Sequence, residues 1–191
     1  GTGNVNSDDA APNADDYFMS DGQNGIRRQF IVDNTAQKSA LGTAVTDAGM
    51  RTLLGLVGKY AGDINNLVYF TDPVTYISMM AMTNVVTVDK YGPQATVLTG
   101  ELSKYGGVPI VVTPSMTRTD TDGKWTTTSP TTANVKGNIA LVWRPAWKVG
   151  YRRSLLIEFD RFIQTRKLVL VASYRIAVAS RGARASAIHT A

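Results

Sequence analysis

The sequence contains no cysteine. That excludes a disulfide framework, a thiolate metal site and a cysteine nucleophile. It has one histidine, His189, and two glutamates, Glu101 and Glu158. A Ser-His-Asp triad would have to use His189, which is read here as part of a loose tail, a Cys-His pair is unavailable, and a His-based zinc site lacks the further ligands it needs. Charged residues make up 18% of the chain, below the usual quarter, and no apolar run approaches the ~20 residues of a membrane-spanning helix. No signal peptide is visible, since the first residues are acidic and polar. The chain starts at Gly1 rather than Met, which reads as a processed piece, an excised piece or a tag remnant. From these absences a non-enzyme is expected, with no metal, no cofactor and no membrane partner.

What is present supports one domain, or two small intimate ones, in 191 residues, with 43% hydrophobic residues to build a core. The formal charge of +5 is unevenly placed. Residues 1–50 hold seven Asp against three Lys/Arg, a net −4; residues 143–191 hold ten Lys/Arg against two acidic residues, a net +8. A bipolar chain suits head-to-tail contacts between copies, and its basic third suits a polyanion.

Residues 1–25 read as a polar loop or surface-laid arm. Asp8, Asp9, Asp15, Asp16 and Asp21 lack the spacing of a calcium loop. Gln29–Asp33 is a short strand candidate. Thr46 is a good N-cap with Asp47 in the first turn, and Met50, Leu53, Leu54, Val57 and Tyr60 share one helical face up to a stop at Gly62. Gly49, Gly55 and Gly58 are expected to let this helix approach a sheet closely. Gly55-x-x-Gly58-Lys59 lacks the spacing and the Ser/Thr of a phosphate loop. Leu67–Phe70 reads as a buried strand, and Asp72-Pro73 as the capped start of a second helix running through Tyr76, Ile77, Met79 and Met80. Val85–Val88 reads as a further strand. Gly106-Gly107 reads as a turn into the strand Val108–Val112. Asp122-Gly123 is a hairpin signal within a Thr-rich ribbon.

The most telling stretch is 138–179. Asn138–Trp143 is an apolar strand. A cationic, aromatic joint follows, in which Arg144, Lys148, Arg152 and Arg153 alternate with Trp143, Trp147 and Tyr151. Leu155–Asp160 comes next. After a break, Leu168–Ala179 forms a strand of about eleven residues, more than ~30 Å long, which links two packed regions or offers an edge to a neighbouring subunit. The joint has the residue types of a nucleic-acid surface. The preferred reading packs Trp and Tyr under the joint and leaves the Arg groups to pair with a neighbour. Ser180–Ala191 reads as a flexible tail.

The order of this wording carries a resemblance. It runs Arg144-x-Ala146-Trp147-Lys148-Val149-Gly150-Tyr151-Arg152-Arg153, Leu155-x-Ile157-x-x-Asp160, Ile163-Gln164-Thr165, then the long strand ending Tyr174-Arg175-x-Ala177-Val178-Ala179. It resembles the C-terminal part of tailed-bacteriophage major capsid proteins with the Hong Kong ninety-seven fold. The helix, strand and Asp72-Pro73 helix, and the glycine turn before Val108-Pro109-Ile110-Val111-Val112, are similarly placed in that family.

The resemblance covers most of residues 30–180 and implies an α+β fold. It implies a polar segment at 1–38 associated with the peripheral domain, an axial domain at 39–142 with a helix-flanked mixed sheet, and a long-stranded peripheral domain completed by 143–191. It implies a structural shell protein whose partners are copies of itself, as pentameric and hexameric capsomers, and packaged double-stranded DNA contacted non-specifically. Location in the virion after assembly in the bacterial cytoplasm follows from it. Subunit-contact candidates are Arg144, Trp147, Lys148, Tyr151, Arg152, Arg153 and Arg175. The family's N-terminal arm, extended loop and spine helix have no counterpart in residues 1–45, so the chain reads as the C-terminal portion of a larger coat protein. A bacterial nanocompartment shell is the related alternative, and a basic nucleic-acid-binding module is the alternative of another class.

Overall fold

The computed structural model describes Ile26 and residues 34–40, 45–116, 118, 130–162, 164–182 and 185–190. The 29–33 strand, the N-terminal Asp cluster and the Asp122-Gly123 hairpin lie outside these residues.

Helix α1, Asp47–Val57, starts where the sequence places it: Thr46 Oγ1 accepts a hydrogen bond from the Gly49 amide. Arg51 pairs with Asp47 one turn away at 2.8 Å, on the face turned from the core. Met50, Leu53 and Val57 are fully buried. The α-helix stops at Val57 because Gly58 takes φ +59°, and a tighter 3-10 turn carries the chain on to Gly62. Gly49 is buried, but a Cβ at Gly55 would meet nothing within 4 Å, so Gly55 makes no close approach to a sheet.

Strand β1 is Lys38–Ala40 and β2 is Leu67–Thr71. Helix α2, Pro73–Met80, follows with Asp72 as its cap. The expected strand at Val85–Val88 is instead two helical turns, α3 (Thr83–Val86) and α4 (Val88–Tyr91), with α5 (Thr96–Thr99) beyond. The Val85 and Val86 amides both bond to the Met82 carbonyl, and this single turn buries Val85 while Val88 stays exposed. A short β-branched run is not decisive when one turn suffices to bury its one core residue. Next come β3 (Lys104–Tyr105), β4 (Val108–Val112), helical turn α6 (Pro130–Ala133), β5 (Asn138–Trp143), β6 (Trp147–Phe162), β7 (Lys167–Ser180) and β8 (Ser186–Thr190).

Six strands form one mixed sheet in the order β1-β8-β5-β2-β4-β3. β1 runs parallel to β8 and β2 parallel to β4; the other pairings are antiparallel. Leu67, Tyr69, Ile139, Leu141 and Ala187 pack with Met50, Leu53 and Val57 of α1 and with Met79, Val85, Leu102, Tyr105 and Val108. Val68, Ala140, Val142 and Ile188 point the other way, where Met116, Phe70 and Trp147 cover them. Both faces carry packed side chains, which is why β2 and β5 are nearly continuous apolar runs, polar only at Thr71 and Asn138, rather than alternating.

Where it is described, the segment expected as a flexible tail at 180–191 is structured. Ser186–Thr190 is a strand held on both sides, by β1 and β5, and His189 within it is fully buried. Its small, polar composition hides a strand whose stability comes from its two neighbours.

Candidate subunit-contact surface

β6 and β7 pair only with each other, from Trp147↔Ser180 at the base to Phe162↔Lys167 at the tip. β6 has 16 residues, so the ribbon extends roughly 50 Å at 3.3 Å per residue. Arg166 takes φ +52° in the connecting turn. The ribbon's base is closed by the Arg181 amide, which donates to the Ala146 carbonyl at 2.9 Å, and next to it, within the body, the Trp143 amide donates to the Ala185 carbonyl at 2.8 Å. The register shifts between Tyr151 and Arg153 and again between Arg153 and Leu156, so the strands are irregular where the cations cluster.

Beyond the irregularity, cross-strand pairs assign the faces. Ile157↔Ala172, Phe159↔Leu170 and Arg161↔Leu168 share one face, apolar but for Arg161. Glu158↔Val171, Asp160↔Val169 and Phe162↔Lys167 share the other, which mixes charge and hydrocarbon. Phe159 is 67% exposed and Leu168 68%. A two-stranded ribbon is marginal alone in water, and contiguous apolar exposure of this kind marks an interaction surface.

The structure treats the contact candidates unequally. Arg144 is exposed, but its Nη2 donates to the Asn65 carbonyl of its own chain at 2.7 Å. Trp147 is half-buried against the sheet and its Nε1 donates to Ser186 Oγ at 3.1 Å. Both hold the ribbon's base. Lys148 is exposed, and Tyr151 is 71% exposed, so Tyr151 does not pack under the joint as expected. Arg153 and Arg175 are register partners, which brings two cations to one rung of the ribbon. The joint and the Leu155–Asp160 run form one strand, Trp147–Phe162, which includes Gly150; Pro145 sits before it in a 3-10 turn at Arg144–Ala146.

Trp143, read with the joint, belongs to the body. Its ring lies 4.6 Å from that of Tyr60, and its Nε1 donates to Asp63 Oδ2 at 2.9 Å. That bond, helped by Asn66, holds the Asp63 carboxyl below its ordinary value. Sequence reasoning missed the exposed apolar residues of the ribbon tip as a surface. The apolar wording was visible, but it was read as a link between two packed regions or as a strand edge for a neighbour, and the exposed face was not foreseen.

A groove of about 580 Å³ opens on the helical side, lined by Asp47, Arg51, Leu54, Lys90, Tyr91 and Tyr105 among others. Among the described residues no group of three or more His, Asp or Glu is placed to hold a metal ion, and no helix is long and apolar enough to cross a membrane.

The fold has counterparts among solved structures. The capsid of an empty GTA particle matches with TM-score 0.57 and 15% identity over 92% of this chain and 59% of that one. The mature capsid of bacteriophage PhiM1 matches with TM-score 0.56 and 12% identity over 98% of this chain and 57% of that one. The fold is that of a tailed-phage capsid protein. A chain from Mycobacterium phage Che8 shares this capsid fold with TM-score 0.54 and 12% identity, over 85% of this chain and 56% of that one. The chain thus spans less than three-fifths of the length of these capsid-fold relatives. No protein-family model matches the sequence, and no curated protein matches it at significant similarity.

Proposed function

We propose that this chain is a structural shell subunit, which assembles with copies of itself into five- and six-membered capsomers and a closed icosahedral shell around double-stranded DNA in a phage virion. The observation that carries the reading is the joint presence of the capsid fold and a long ribbon that leaves its apolar face uncovered by the body. A soluble monomer gains nothing from that face; a tile gains an interface. In this reading the six-stranded body is the axial domain and the ribbon belongs to the peripheral domain. Lys148 and Tyr151 are exposed in the ribbon's base half, and Arg152, Arg153 and Arg175 fall in the same half; in this reading the cations meet a neighbour's acidic groups. The net −4 of residues 1–50 is the complementary charge within the same chain. Assembly takes place in the bacterial cytoplasm, and DNA is met non-specifically through the basic surface.

The double variant Arg152→Ala/Arg153→Ala separates this from a nucleic-acid-binding module. A shell subunit keeps its fold and loses assembly in light scattering. A binding module instead loses a DNA affinity that falls steeply with added salt. Full assembly by the double variant removes Arg152 and Arg153 from the contacts; a wild type that never assembles, and whose salt-dependent DNA binding the double change abolishes, contradicts the shell reading. Extracting nucleic acid or protein from particles purified from the host separates a genome-bearing shell from a nanocompartment with protein cargo.

A further inference from the structure

The buried histidine has no part in the contact surface. His189 lies in β8 between Ser39 of β1 and Ile139 of β5, and its relative exposure is 0%. Neither Nδ1 nor Nε2 has a hydrogen-bond partner. By register it shares a face with Ile139 and Ala187, the face that meets α1. We propose that His189 is a proton-operated latch: acidification releases β8, and β1 with it, from the sheet and loosens the base of the ribbon.

The surroundings contain nothing to stabilise an imidazolium. β8 packs against β1, β5, α1 and the turn Thr35–Gln37. The titratable groups of α1 are Asp47 and Arg51, paired with each other on its outer side. Lys38 of β1 is in register with Ile188, on the opposite face of the sheet. β5 and the 35–37 turn contribute no titratable side chain, and β2 contributes only the Tyr69 phenol, itself buried without a partner. Among the described residues no carboxylate faces the ring. Burial therefore holds the ring below its ordinary value, neutral while the strand is in place.

The sign of the linkage follows. Above the unperturbed value of about 6.5 neither state binds the proton, and opening is pH-independent. Below it the released strand takes up a proton that the closed sheet refuses. The opening constant then rises up to about tenfold per pH unit until the folded ring's own value is reached. β1 is a three-residue edge strand, so losing β8 removes its pairing too, and leaves β5-β2-β4-β3 as the remaining sheet. Release also breaks the Trp147–Ser186 hydrogen bond, which ties the ribbon to the body, and the adjoining Trp143–Ala185 bond within the body. The latch rests on the sheet geometry and does not depend on the shell reading.

Amide hydrogen exchange of the full chain between pH 7.5 and 5, corrected for intrinsic exchange rates, tests it. The expected result is loss of β8 protection by about tenfold per pH unit below 6.5, with β2 and β4 unaffected, and loss of that slope in His189→Leu. Unchanged β8 protection in the wild type, or an equal slope in the variant, overturns the latch. Should the variant not fold, imidazole NMR decides on the wild type, because the chain has only one histidine. A ring that stays neutral in the folded protein at pH 5.5 supports the latch; a ring that titrates near 6.5 while the sheet remains intact overturns it.

Discussion

Asp72 joins two distant parts of this fold. Its Oδ1 accepts from the Val74 and Thr75 amides, and its Oδ2 from the Thr75 hydroxyl and the Asn138 amide, although the residue is only 2% exposed. One carboxylate thus caps α2 and pins the start of β5, 66 residues away. Asp72→Ala removes a helix cap and strands buried donors, so the expected loss is about 2–4 kcal/mol in urea unfolding. Gly137 backs onto the same cluster, and a Cβ there would overlap Thr75 Oγ1. Gly137→Ala is expected to cost about 1–3 kcal/mol by overpacking, measured in the same way. Asp63 gives a pH-dependent case. Its folded value is depressed, chiefly by the Trp143 indole, so its contribution is present above the unfolded value of 3.8 and is lost as pH falls through the lower folded value. Trp143→Phe is expected to flatten the acid limb of stability below pH 4, read from urea midpoints across that window. Caps of this sort were legible in the sequence, because Thr46 and Asp72 act on amides two or three residues away. The longer links, Asp72 to Asn138 and Trp143 to Asp63, were not, since nothing local encodes contacts across 66 or 80 residues.

Among the elements, strands with a strong apolar run were legible: Leu67–Phe70, Val108–Val112 and 138–143 all appear as read. So does the long strand near the end, which pairs with an equally long partner instead of crossing the protein alone. Two elements defeated the reading for opposite reasons. Val85–Val88 has strand propensity but gains more by burying Val85 in a helical turn. Ser186–Thr190 has little propensity but inherits its conformation from β1 and β5. The ribbon's faces follow from pairing, which the sequence does not state. Phe159 and Leu170 are register partners on the apolar face, 67% and 57% exposed, so they add little to the stability of the isolated subunit. The double change Phe159→Ser/Leu170→Ser is expected to leave the urea midpoint nearly unchanged and to abolish higher-order assembly in analytical ultracentrifugation. Normal assembly by that variant would remove the tip's apolar face from the interface.

At the scale of the molecule, the α+β class and the capsid fold were legible from the order of the wording in 143–179, before any contact was known. The individual roles of the cationic joint were not. Arg144 and Trp147 turn inward to hold the ribbon to its own body, while Tyr151 turns outward. Residue type alone does not distinguish a cation that anchors a base from one offered to a neighbour. What the whole fold provides is a rigid two-faced sheet carrying a semi-detached arm, tied at its root by a few hydrogen bonds and exposed along its length. In the proposed shell, such a body would hold its shape while the arm's contacts differ between five-fold and six-fold surroundings. The measurement that tests this most directly is the mass of the purified chain by light scattering across a range of concentrations, with electron microscopy of the same fractions. The account predicts rings of five or six, or closed shells, that appear with concentration and disappear in the Phe159→Ser/Leu170→Ser variant. A strict monomer at every concentration, binding DNA with a steep salt dependence, would contradict it.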